Sequence, residues 1–235
     1  MVPDTVLTSA TPSAGHTNTR RRPRQPKAPD SRTRVREMLS YLAAALPADT
    51  GAAARLIALQ CALRMNGSAE ARVPYGVLRS LRLGAAMDPR RELSHAGWLH
   101  VAPHHPLTDP RLRVVQLLDM DSFSQHPARP DRLRAADWAL RLTSCIRADS
   151  KPSPRLVALC LAAHSARGST QGTAEVEQLA RECGLAGPTF IGVVESLTKK
   201  EVLSSWSVSQ TSEDLHWTLM SRLSVESDAQ QRREK

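Results

Sequence analysis

Five residues recur almost unchanged one hundred positions apart. Arg55-Leu56-Ile57-Ala58-Leu59 and Arg155-Leu156-Val157-Ala158-Leu159 differ only in Ile against Val. Each run stands inside an apolar helical stretch, the first over about 53–65. A further helix precedes each, at 33–46 and 132–145, which sets these helices at an offset of 99. After each apolar helix come a polar stretch, a helix, a turn, another helix and a possible hairpin. Self-similarity at this length marks a duplicated domain, since solenoid units recur every 20–50 residues or so.

The local patterns support that order. Val35, Met38, Leu39, Leu42 and Leu46 follow helical spacing, and Pro47 to Gly51 breaks the pattern. In the second copy Val176, Leu179, Ala180 and Cys183 give the same stripe over 174–183. Gly184 supplies a left-handed residue to stop that helix, and Leu185 tucks back. Gly187-Pro188 opens the next helix, with Pro near its first position. That helix carries Phe190, Val193, Val194 and Leu197 on one face and ends near Lys199-Lys200-Glu201. Val202, Leu203, Trp206 and Val208 lead to a polar turn, Ser209 to Asp214, and then to Leu215, Trp217 and Leu219. Alternation on both sides of a polar turn is a hairpin signal.

The stretch Glu177-Gln178-Leu179-Ala180-Arg181-Glu182-Cys183-Gly184-Leu185-Ala186-Gly187-Pro188-Thr189 resembles the helix-turn-helix of bacterial winged-helix regulators. Val193, Leu197 and Val202-Leu203 resemble that family's core positions ahead of the wing. The likeness covers roughly residues 152–220. It implies a mainly α fold with small β-hairpins: two winged-helix domains in tandem, each preceded by an extra helix. The first copy departs from the pattern. Its second helix is expected over 73–83 (Val77, Leu78, Leu81), followed by the turn Gly84-Ala85-Ala86-Met87. Asp88-Pro89 opens a short third helix over 89–97. Trp98, Leu99 and Val101 start its wing, His104 to Pro110 form the tip, and Arg111 to Leu118 return.

The resulting division has five parts. A disordered basic arm, 1–31, is too poor in apolar residues to offset the entropy of ordering. Copy one follows at 32–119, a linker at 120–130, copy two at 131–221 and a polar tail at 222–235. Aromatics are only 3 % of the chain, so its core is built from Leu, Val, Ala and Met, which suits thin helical layers. The four cysteines, 61, 145, 160 and 183, show no CxxC spacing and sit in apolar helical stretches. They read as buried, reduced thiols of a cytoplasmic, nucleoid-associated protein. No apolar run reaches membrane-spanning length.

The formal net charge of +9 makes nucleic acid the expected partner. Nearly all the positive charge is Arg, whose planar fork suits phosphates and guanine edges. In the helix-turn-helix reading, residues early in the third helix reach base edges: Arg90, Arg91 and His95 in copy one, Thr189 in copy two. Arg79, Arg82, Arg111, Arg113, Lys199 and Lys200 are candidates for phosphate, as are Arg20, Arg21, Arg22 and Arg24 of the arm. Residues 1–36 hold eight basic and two acidic side chains, whereas 131–220 hold ten of each. The strongest fold signal and the strongest DNA-contact signal therefore fall in different copies. His95, His100, His104 and His105 cluster without nearby cysteine, so they read as surface rather than as a metal site. No phosphate loop, GxSxG or HExxH is present, and neither catalysis nor a cofactor is expected.

Three readings follow. The first is a duplex-DNA-binding transcriptional regulator, with copy two available for homodimerisation; the second is a plasmid or phage replication or partition factor on DNA repeats. The third is a protein-interaction module that uses the neutral copy two.

Overall fold

A computed structural model describes residues 30–81, 83, 89–101, 112–117, 128–146 and 151–223. Each half presents the same succession. The first runs α1 (Ser31–Ala45), α2 (Ala52–Arg64), β1 (Glu70–Pro74), α3 (Tyr75–Leu81), α4 (Pro89–His95), β2 (Leu99–Val101) and β3 (Leu112–Leu117). The second runs α5 (Arg129–Cys145), α6 (Pro152–His164), β4 (Gln171–Glu175), α7 (Val176–Cys183), α8 (Gly187–Lys199), β5 (Leu203–Val208) and β6 (Asp214–Leu219). Each half closes with a three-stranded antiparallel sheet in which the last strand is central, β1-β3-β2 and β4-β6-β5. The fold is mainly α with small β, as the sequence implies.

Local chemistry explains most boundaries. Asp30 caps α1 by accepting the Thr33 N–H at 2.8 Å, satisfying a donor that the first turn leaves without a partner. Asp30 and Ser31 therefore belong to the helix and not to the arm assigned to 1–31. α2 and α6 are buried on nearly every side from Ala52 to Leu63 and from Pro154 to Ala163, as helices without a polar face must be. Gly184 has φ +62° and its N–H bonds back into α7, the left-handed stop that its position demands.

Several boundaries differ from expectation. α5 starts at Arg129, inside the segment assigned to the linker, and α4 ends at His95 before the left-handed Gly97. α1 and α5 start at Ser31 and Arg129, 98 residues apart, and end at Ala45 and Cys145, 100 apart, on either side of the expected offset of 99. The expected tail begins within a 3-10 turn, Ser221–Leu223, whose Leu223 is buried. Cys145 is exposed at the end of α5, whereas the other three cysteines are buried as expected. β1 and β4 stand where the sequence pattern predicts polar connections or the start of a helix. Their sequences, Glu-Ala-Arg-Val-Pro and Gln-Gly-Thr-Ala-Glu, are poor in β-formers, and it is pairing with β3 and β6 that makes them strands.

The two halves do not stand apart. α1 and α2 pack on α5 and α6, and a single hydrophobic core runs through both halves. Four buried arginines tie the halves together, and they form two equivalent pairs. Arg32 of α1 donates to the carbonyls of Ala166 and Ser169 beyond α6, each at 2.9 Å. Arg132 of α5 donates to the Met65 carbonyl beyond α2 at 3.0 Å. Arg155 donates at 2.7 Å to the Leu81 carbonyl that ends α3. Arg55 donates to the carbonyls of Thr50 and Pro47 and packs against Gly184, which ends α7. When equivalent residues contact one another's equivalents in this reciprocal way, the contact is isologous and implies an approximate two-fold axis. The recurring Arg of the sequence repeat is thus an inward-facing structural residue.

Candidate nucleic-acid interface

α4 has two opposed faces. Pro89 and Leu93, four residues apart, are buried against the core. Arg91 and His95 occupy the opposite side and are exposed, while Arg90 and Ser94 lie half-buried between them. Glu92 turns inward and its carboxylate accepts the Gly51 N–H at the start of α2. A carboxylate at a helix N-terminus is favoured by the helix dipole, so Glu92 fixes the angle at which α4 leaves the body. The rest of copy one adds exposed cations: Arg79 in the last turn of α3 and Arg72 on β1. The backbone register sets Arg113 opposite Val73, and β2 carries the exposed His100.

The equivalent surface in copy two has another character. α8 buries Phe190, Val194 and Leu197. Pro188, Thr189, Gly192, Glu195 and Lys199 form its exposed stripe. Lys199 Nζ lies 2.9 Å from Glu195 Oε1, so the two charges on that stripe cancel. Lys200 follows the helix and is half-buried. Trp98, Trp138 and Trp217 are core residues, and Trp206 is half-buried.

Of the residues singled out in the sequence, Arg90, Arg91 and His95 share one short helix, with Arg79 on the preceding one. Arg20, Arg21, Arg22, Arg24, Arg82 and Arg111, with His104 and His105, lie outside the described residues. Sequence reasoning overlooked Arg72, because β1 was not recognised as a strand with alternating faces. It also overlooked Glu92, whose role depends on a contact across forty-one residues.

Comparison with family models, with curated proteins and with solved structures finds no match. Among the described residues, no helix is long and apolar enough to cross a membrane.

Proposed function

We propose that this chain is a tandem winged-helix protein that binds duplex DNA sequence-specifically as a transcriptional regulator, with α4 as its reading helix. The observation that carries the proposal is the exposed Arg91–His95 face of α4, held opposite a buried face within a helix–helix–strand–helix–helix–hairpin unit. The fourth helix of such a unit, which is the third once the extra leading helix is set aside, is the one that enters the major groove, where Arg can take both acceptors of a guanine. Such a contact is worth roughly 1–3 kcal/mol of discrimination. Arg79, Arg72 and the β2–β3 hairpin flank α4 as phosphate contacts. The approximate two-fold axis gives one chain the geometry that regulators commonly obtain by dimerising. Because the two third helices differ in sequence, the preferred site is asymmetric. The neutral stripe on α8 favours a secondary role for copy two in holding a protein partner.

Fluorescence anisotropy on a labelled duplex across a salt series tests this. Affinity should fall steeply with salt, with a log–log slope of about −0.9 per phosphate neutralised. Arg90→Ala/Arg91→Ala should weaken binding, whereas Lys199→Ala should not. Binding of separate direct repeats by separate chains would instead favour a replication or partition role. No binding at low salt would refute the proposal.

A further inference from the structure

Copy two contains a polar cluster that copy one lacks. Cys160 and His164 stand four residues apart on α6 and so share a face. Glu182 meets them from the last turn of α7. The ligating atoms of these three side chains all lie within 4.8 Å of one another. His164 Nε2 is 2.8 Å from Glu182 Oε2, and Cys160 Sγ is 3.4 Å from the same oxygen. The other oxygen, Oε1, accepts the Ser40 hydroxyl at 2.7 Å and the Gln178 amide at 3.3 Å. In copy one the equivalents of Cys160 and His164 are Gln60 and Arg64, and Arg64 Nε simply donates to Gln60 Oε1 at 3.1 Å. The duplicated scaffold thus diverges here to place a thiol, an imidazole and a carboxylate together.

We propose that Cys160, His164 and Glu182 bind a divalent cation of the zinc class. The donor set combines sulfur, nitrogen and oxygen, the mixture that zinc takes and that calcium and magnesium do not. Bond lengths of about 2.0–2.3 Å at a tetrahedral ion put neighbouring donors roughly 3.3–3.6 Å apart. The sulfur–oxygen distance is already in that range, and the nitrogen–oxygen distance has to open by about half an ångström. Ser40 and Gln178 supply the outer hydrogen bonds that orient a ligating carboxylate. Glu182 itself is 2 % exposed, so the ion requires a route inward. His164 provides it, because it also lines a polar cleft of about 720 Å³ with Arg36, Trp206 and His216. Three protein ligands leave the fourth position to a water or small ligand entering by that cleft. On loading, the ion takes the place of the Cys160 thiol proton, which passes to water, and binds His164 as a neutral imidazole through Nε2, with the ring proton on Nδ1. The ion would join α6 to α7 and, through Ser40, to α1 of the other half. This proposal is independent of DNA binding.

The test uses the full chain without a metal-binding tag, stripped by chelator and titrated with Co²⁺ under reducing conditions. One equivalent should produce a thiolate-to-cobalt charge-transfer band with tetrahedral visible bands, and Zn²⁺ should displace both. Cys160→Ala should abolish the charge-transfer band and Cys61→Ala should leave it. Ser40→Ala should keep the band but weaken affinity about 10- to 100-fold. His164→Gln, which keeps a donor toward Glu182, should alter the visible bands. No charge-transfer band in the unmutated protein overturns the proposal without reference to any variant, as does a band that survives Cys160→Ala.

Discussion

Gly184→Ala measures how firmly the two halves are packed on one another. Gly184 sits at φ +62°, a conformation that costs a residue with a Cβ roughly 1–2 kcal/mol. A Cβ there would also lie 2.2 Å from Nε and 2.8 Å from Cζ of Arg55. Arg55 is 1 % exposed and is held by the carbonyls of Thr50 and Pro47, so it has little room to yield. Overpacking of this kind costs about 1–3 kcal/mol, for a total of roughly 2–5 kcal/mol. Gly168→Ala is the control: φ is +69° but nothing lies within 4 Å of the added methyl, so only the backbone cost of about 1–2 kcal/mol remains. Urea denaturation reads both. With an m-value of roughly 2.5 kcal/mol/M, Gly184→Ala should move the midpoint by about 1–2 M and Gly168→Ala by about half as much. In an Arg55→Ala background the excess should disappear, as a coupling of about 1–3 kcal/mol. Equal shifts for the two glycine variants, or no coupling to Arg55, would refute the cross-packed arrangement.

Further expectations follow from individual contacts. Gly172 faces Trp217 across β4 and β6, and a Cβ there would lie 2.2 Å from the indole ring, so Gly172→Ala should cost about 1–3 kcal/mol in the same assay. Asp30→Ala removes the α1 cap and should cost about 1 kcal/mol. Burial pushes the Asp30 carboxyl upward, but the Thr33 hydrogen bonds, with Arg167 and Arg32, outweigh it and hold the group below its ordinary value. Its stabilisation is therefore present above the unfolded-state value near 4 and is lost as pH falls through the lower folded-state value; stability against pH for wild type and Asp30→Ala should converge in acid. Burial pushes the Cys61 thiol up to about 12, and contact with the Cys183 thiol, with burial, raises Cys160 as well, so an aromatic disulfide reagent should find one fast thiol, Cys145, in the native chain.

What was legible in the sequence was whatever depends on neighbours along the chain. The α1 stripe, the Gly184 stop, the Gly187-Pro188 start and the alternation of β5 and β6 are all local signals. β1 and β4 were missed because their strand character is imposed from β3 and β6, about forty residues away. The buried arginines were missed for the opposite reason. Arg is ordinarily a surface residue, and the carbonyls that receive Arg32, Arg132 and Arg155 come from the other half of the chain. In α4 the helix itself was legible, but the inward turn of Glu92 and the exposure of Arg91 and His95 opposite the buried Pro89 and Leu93 needed the packed structure. One local clue to the thiol–imidazole–carboxylate cluster was available: Cys160 and His164 one helical turn apart on a helix with few other polar groups.

Hydrogen exchange of the full chain, with and without a bound duplex, addresses the central claim most directly. The account predicts new protection in Pro89–His95 and in the Leu99–Val101 and Leu112–Leu117 strands, with Gly187–Lys199 little changed. Protection confined to Gly187–Lys199, or spread over neither third helix, would contradict it.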